Sequence, residues 1–245
     1  MPIATTRGLV IASGLLFANL LQSASAEMRW WNQLRDRKAT APTQKPLPGV
    51  RLSMQGWNEE APSGRLRVWR DGSGAVLTLA ILPRPSNKLP DFSDEAALRR
   101  FARDAAKRVG AGLIEVRVMT GTPHPSVSWI YKQLRKPAYV FTGMLFIAYD
   151  DAYQGWTIMA GETGTTGVRE AVVTSELINA GKLTVSEFER SWAQDPYDPS
   201  YHGVDRSVLR FMSDDASYDG RFPDHPLSRI RQVLTILPQS IQSDF

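Results

Sequence analysis

Alternation of apolar and polar positions begins at Val50. Residues 50–55 alternate weakly. Residues 66–70 alternate apolar with basic, setting Leu66, Val68 and Arg70 on one side and Arg67 and Trp69 on the other. The run 75–82 is apolar, and Asp71-Gly72-Ser73-Gly74 lies between the two, so a β-hairpin is predicted. Pro83 and Pro85 stop its second strand. The period then changes. Ala97, Leu98, Phe101, Ala102, Ala105, Ala106 and Val109 recur at helical spacing, and Arg99, Arg100, Arg103, Lys107 and Arg108 fall mostly on the other side. This predicts a helix capped by Ser93, with Asp94 and Glu95 in its first turn, ending at Gly110 and Gly112.

Period two returns over 114–119, 127–134, 139–149 and 154–160. These runs are rich in Val, Ile, Tyr, Phe and Trp, with breaks at Lys136-Pro137 and Asp150-Asp151. A helix over 168–180 follows, closed by Gly181. Thr184 and Glu187 form a capping box for a third helix bearing Phe188 and Trp192. Residues 195–225 are rich in turns, and a last helix spans 227–237. Leu227, Ile230, Leu234 and Leu237 line one face of it. The order predicts an α+β fold, a mostly antiparallel sheet packed with helices, over 50–183. The helical and loop extension over 184–245 is expected to pack on that domain, because an apolar stripe of this kind is seldom left in water.

The 66–82 hairpin, the 93–109 helix, the meander ending at Trp156-Thr157-Ile158 and the helix after it together resemble the fold shared by the photosystem PsbP subunit and the bacterial envelope lipoprotein DcrB. The resemblance is one of element order over 50–180. It implies binding or assembly rather than catalysis. The lipoprotein cysteine of that group is missing, and 184–245 lies beyond its layout.

The N-terminal segment changes the picture of where the protein acts. Arg7 precedes an apolar run over 8–21, and Ala24-Ser25-Ala26 supplies small residues for cleavage. Residues 1–26 therefore read as a signal peptide and the protein as periplasmic or secreted. The apolar run is short for a transmembrane helix, and no later segment spans a bilayer. An uncleaved anchor is the other reading of the same run. Residues 27–49, with prolines at 42, 46 and 48 and small residues between them, form a Pro-rich linker.

With no cysteine, disulfides and thiolate metal sites are excluded. Charge is uneven: 22 basic against 15 acidic residues in 27–183, and 6 against 10 in 184–245. An acidic tail on a basic body is one reading, and two solvated faces the other. Export argues against a nucleic-acid partner for the basic helix face.

Candidate chemistry is sparse. There is no Gly-x-Ser-x-Gly elbow and no nucleotide-binding glycine motif. The three histidines, His124, His202 and His225, all sit in turns. Asp215, Ser217 and Asp219, with Gly220, match positions one, three, five and six of a calcium loop. Position twelve is Pro226 where a bidentate Glu belongs, so calcium stands beside an ordinary acidic turn; no other cofactor is expected. Tyr197, Tyr201, His202, Asp224 and His225 are the expected binding surface, on a loop anchored at both ends. The sequence thus leads to an exported, non-catalytic accessory or binding protein of the cell envelope, engaging a protein partner or envelope component. The alternative is an exported hydrolase whose active site carries no familiar motif.

Overall fold

Seven strands follow from the alternating runs. They form one antiparallel sheet in the order β2-β3-β4-β8-β7-β6-β5. Its members are β2 (Trp57–Glu59), β3 (Arg67–Asp71), β4 (Val76–Pro83), β5 (Gly112–Met119), β6 (Ser126–Arg135), β7 (Ala138–Ala148) and β8 (Ala152–Gly161). The computed structural model describes residues 50–60, 67–84 and 89–242. The expected signal peptide (1–26), the linker (27–49) and Leu66 lie outside the described residues. The α+β class expected from the sequence is the class observed.

The central strands are apolar on both sides because both sides are covered. One face carries Val127, Trp129 and Phe146 and receives α1 (Glu95–Arg108). Phe101 of α1 meets Trp129 edge-on at 6.0 Å, and Trp129 stacks on Phe146 at 4.8 Å. Asp94, not Ser93, caps α1, accepting from Ala97 N at 2.9 Å. The Ser93 hydroxyl instead donates to Asp91 at 2.8 Å.

The opposite face carries Trp69, Leu77, Leu79, Phe141, Leu145, Ile147, Trp156 and Ile158. It is covered by the C-terminal helix α4 (Pro226–Ser240), through Leu227, Ile230, Val233, Leu234 and Leu237. The alternation predicts Val68 on the buried face with Leu77, Leu79, Phe141, Leu145, Ile147 and Ile158, and the Leu98/Phe101/Ala105 side of the helix over it; the structure differs in two features. The side of β3 that enters this core is that of Trp69, which lies 5.3 Å from Trp156, and Val68 points the other way. The large aliphatics of β4, β7 and β8 lie under α4 and not under α1. The close approach of α4 depends on Gly143: a Cβ there would stand 2.5 Å from the Ile230 Cγ2.

Between the sheet and α4 the chain forms α2 (Val168–Asn179) and α3 (Val185–Ser191). Two short antiparallel pairs follow: β9 (Ala193–Gln194) with β10 (Arg210–Phe211), and β1 (Arg51–Leu52) with β11 (Ile241–Gln242). The β1–β11 pair ties the two ends of the described chain together. All described residues belong to one compact unit, 47–245.

Candidate functional site

A lysine at the centre of an apolar strand is costly unless it is paired. Lys132 of β6 is wholly buried and faces the α4 side, opposite Phe141 in the ladder. Its ammonium donates to the Asp214 Oδ2 at 2.6 Å and lies over the Phe211 ring. The same Oδ2 accepts from Phe211 N at 2.7 Å. Burial pushes the Lys132 pKa down, and Asp214 opposes that shift.

Two arginines extend the network. Arg169, in the first turn of α2, is fully buried. It donates to the Ser213 carbonyl at 2.7 Å, the Asp215 carbonyl at 2.9 Å, the Asp219 Oδ1 at 3.0 Å and the Ser228 hydroxyl at 2.8 Å. Arg231 of α4 donates to Glu115 of β5 at 2.8 Å, Asp219 at 3.0 Å and the Asp214 carbonyl at 2.7 Å. Strand, helix and loop are thus cross-braced by charge-assisted bonds, the stronger kind of hydrogen bond.

Beside this network stand Glu162, Glu170 and His225. Glu162 follows β8 and is oriented by two backbone donors, Gly167 N at 2.9 Å and Tyr139 N at 3.0 Å. His225 caps α4: its Nδ1 accepts from Leu227 N at 3.2 Å, and Pro226 takes the first helical position. The His225 Nε2 lies 3.9 Å from the Glu162 Oε1. Both oxygens of Glu170, the Nε2 of His225 and the Oδ1 of Asp214 are buried without a hydrogen-bond partner among the described residues. Burial raises the Glu170 pKa and lowers that of His225 to about 4, so the imidazole is neutral at physiological pH. Burial, with the carboxylates around it, pushes the Tyr139 phenol up to about 12.

Asp215 and Asp219 of the expected calcium loop are engaged by arginines. Asp215 accepts from Ser217 N at 3.0 Å and from Arg210 at 2.8 Å, and Asp219 takes Arg169 and Arg231. Ser217 sits in the short 3₁₀ turn that Asp215 caps. Of the expected binding surface, Tyr197 covers the open edge of β5. Its hydroxyl accepts from Val116 N at 2.7 Å and donates to Val116 O at 3.1 Å. Tyr201 lies beneath Arg103, whose guanidinium is bidentate to Asp195. His202 and Asp224 are exposed. Of the five, the two tyrosines hold the loop to the body, His202 and Asp224 face water, and the His225 side chain is largely buried near Glu162.

A cleft of about 690 Å³ opens elsewhere, at the β4–β8 end of the sheet. Its walls are Phe92, His124, Tyr149 and Tyr153, and its polar groups are Arg84, Asp91, Asp150 and Asp151. The His124 ring lies 4.4 Å from Tyr149, and Arg84 lies 4.7 Å over Tyr153 while donating to the Tyr149 carbonyl at 2.6 Å. Hydrogen bonds from the Ser93 backbone and hydroxyl hold the Asp91 carboxyl below its usual range. Asp150 and Asp151 are exposed. In the sequence Asp150-Asp151 is a break between strands and His124 lies in a turn; nothing local in either signals a shared cleft.

Lys132, Arg169, Glu162 and Glu170 also escaped the sequence reading. The usable signals were a lysine inside an apolar strand and a histidine before the proline of an apolar helix.

No family model matches the chain, and no curated protein matches it. Among solved structures it is similar to the Ran-binding protein Mog1p of Saccharomyces cerevisiae. The TM-score is 0.33 and the identity 11%, over 52% of this chain and 74% of that one. It is also similar to PA94 of Pseudomonas aeruginosa, a protein of unknown function, at TM-score 0.31 and 18% identity, over 59% of this chain and 88% of that one. Neither of the two is named as a PsbP or DcrB protein. No helix among the described residues is long and apolar enough to cross a membrane. Likeness at these scores carries no argument about this chain's fold or activity.

Proposed function

We propose that the chain is an exported, non-catalytic accessory protein of the cell envelope, built on the PsbP/DcrB arrangement, which engages a protein partner through the cleft beside Tyr149 and Tyr153. The cleft is the observation that carries this reading. It is concave, with aromatic side chains in its walls and charged groups around them, and a concave site with convergent polar groups is where binding is expected first. Tyrosine rings give contact area at low entropic cost, and rim carboxylates give orientation and partner choice.

The hydrolase reading has less support. Among the described residues no serine hydroxyl is hydrogen-bonded to a histidine ring, the contact on which a serine nucleophile depends. The His225 Nδ1 is taken up by the cap of α4, and the His124 ring packs on Tyr149.

Replacing Asp150 and Asp151 together with Ala tests the cleft. Both are exposed, so the melting temperature is expected to stay within about 2 °C of the parent, as for surface changes in general. Retention of the partner from a native envelope extract is expected to fall at least tenfold, roughly the loss of one oriented charge contact. Undiminished retention would place the binding surface elsewhere.

A further inference from the structure

We propose that Glu162, Glu170 and His225 form a site for one divalent transition-metal ion of the zinc class. The site is separate from the cleft and does not depend on it. One ligand atom from each residue lies within 4.8 Å of the other two. Ligands on a tetrahedral zinc stand roughly 3.3 Å apart, given bonds of about 2.0–2.1 Å. Closing the set therefore takes side-chain shifts of about 1 Å.

The second observation is burial without partners. The His225 side chain is only 9% exposed, and its Nε2 has no hydrogen-bond partner as it faces Glu162. Both Glu170 oxygens are equally unpartnered and sealed from solvent. Buried polar groups in folded proteins are almost always satisfied, so an unpartnered imidazole nitrogen and an unpartnered carboxyl group within 4.8 Å of each other call for a ligand.

Charge gives the same answer. Glu162, Glu170 and Asp214 share one nearby lysine, Lys132. Arg169 is spent on Asp219, Ser228 and two carbonyls. With all three carboxylates ionised the group carries two negative charges in excess, which one divalent cation balances. A donor set of one imidazole and two carboxylates suits zinc and its neighbours. Calcium and magnesium prefer oxygen alone, in larger number. The two backbone donors on Glu162 supply the outer hydrogen bonds that orient a metal-binding carboxylate.

Coordination through Nε2 requires the ring proton on Nδ1, which releases the contact from Leu227 N. The loss of one helix cap is small beside coordination of a divalent ion.

The test is titration of the metal-stripped chain with Zn²⁺, followed by calorimetry, thermal melting and X-ray absorption. One equivalent is expected to bind, raise the melting temperature and show a single imidazole among oxygen donors. Ca²⁺ at the same concentration is expected to shift nothing. Two variants separate binding from folding. Glu170→Gln removes a ligand that holds no hydrogen bond, and His225→Asn keeps a cap acceptor at that position. Each is expected to melt within a few degrees of the parent without metal, and to weaken zinc binding at least tenfold. Absence of one-to-one uptake by the parent overturns the proposal and leaves a proton on Glu170 as the way its charge is relieved. Uptake undiminished in both variants also overturns it, since the ion then sits elsewhere.

Discussion

Asp214→Ala is expected to lower the folding free energy by about 3–5 kcal/mol, the usual result of stranding one partner of a buried ion pair. The Lys132 ammonium would remain in a wholly buried position with an aromatic ring for company and without the carboxylate it is hydrogen-bonded to. Phe211 N would lose its acceptor at the same time. Lys132→Met is expected to cost a similar amount, because the orphan is then the Asp214 carboxylate. Replacing both is expected to cost clearly less than the two single changes added together, since neither charge is left alone. Urea denaturation of the four proteins measures this. Additive costs would show that the two side chains do not depend on each other.

Arg169→Met is the second large effect, about 2–4 kcal/mol. The side chain fills similar volume, but two carbonyls, Ser213 O and Asp215 O, lose their donor, and each unsatisfied buried group costs about 1–3 kcal/mol. Asp219 keeps Arg231, which limits the loss. Arg169→Lys is not expected to rescue, because one ammonium cannot reproduce a planar fork serving four acceptors in different directions. The damage should be local. Limited proteolysis is expected to cut the variant first within 195–225, well before the sheet. A variant as resistant as the parent, with an unchanged denaturation midpoint, would show that Arg169 does not hold the loop.

The hairpin, the helix over 93–109 and the meander were legible because each repeats its period over at least two turns or two alternations. The pairs β1–β11 and β9–β10 have two residues per strand, too few for any period to show. Which helix covers which face was not legible either, since a strand buried on both sides looks the same from each. Val68 and Trp69 are both apolar, and only the position of Trp156 across β4 decides which one enters the core.

The charged groups failed for a related reason. Lys132, Arg169 and Asp214 look like surface residues one at a time. Their partners lie 82 and 44 positions away in the chain, at Asp214 and Ser213. The acidic turn 214–219 was legible as a feature, but the arginines that occupy Asp215 and Asp219 come partly from α2 and α4. The cleft likewise draws its walls from residues far apart, Phe92, His124 and Tyr153.

The central claim is that the cleft is where a partner binds, and in-cell photo-crosslinking reads it most directly. A photoreactive residue replaces Asp151, whose side chain is exposed at the rim, in the native host. Exposed Lys182, beyond the end of α2, carries the same residue as a control. One discrete heavier adduct from position 151 and none from 182 is the result this account predicts. No adduct at 151, or the same set of adducts from both positions, would contradict it.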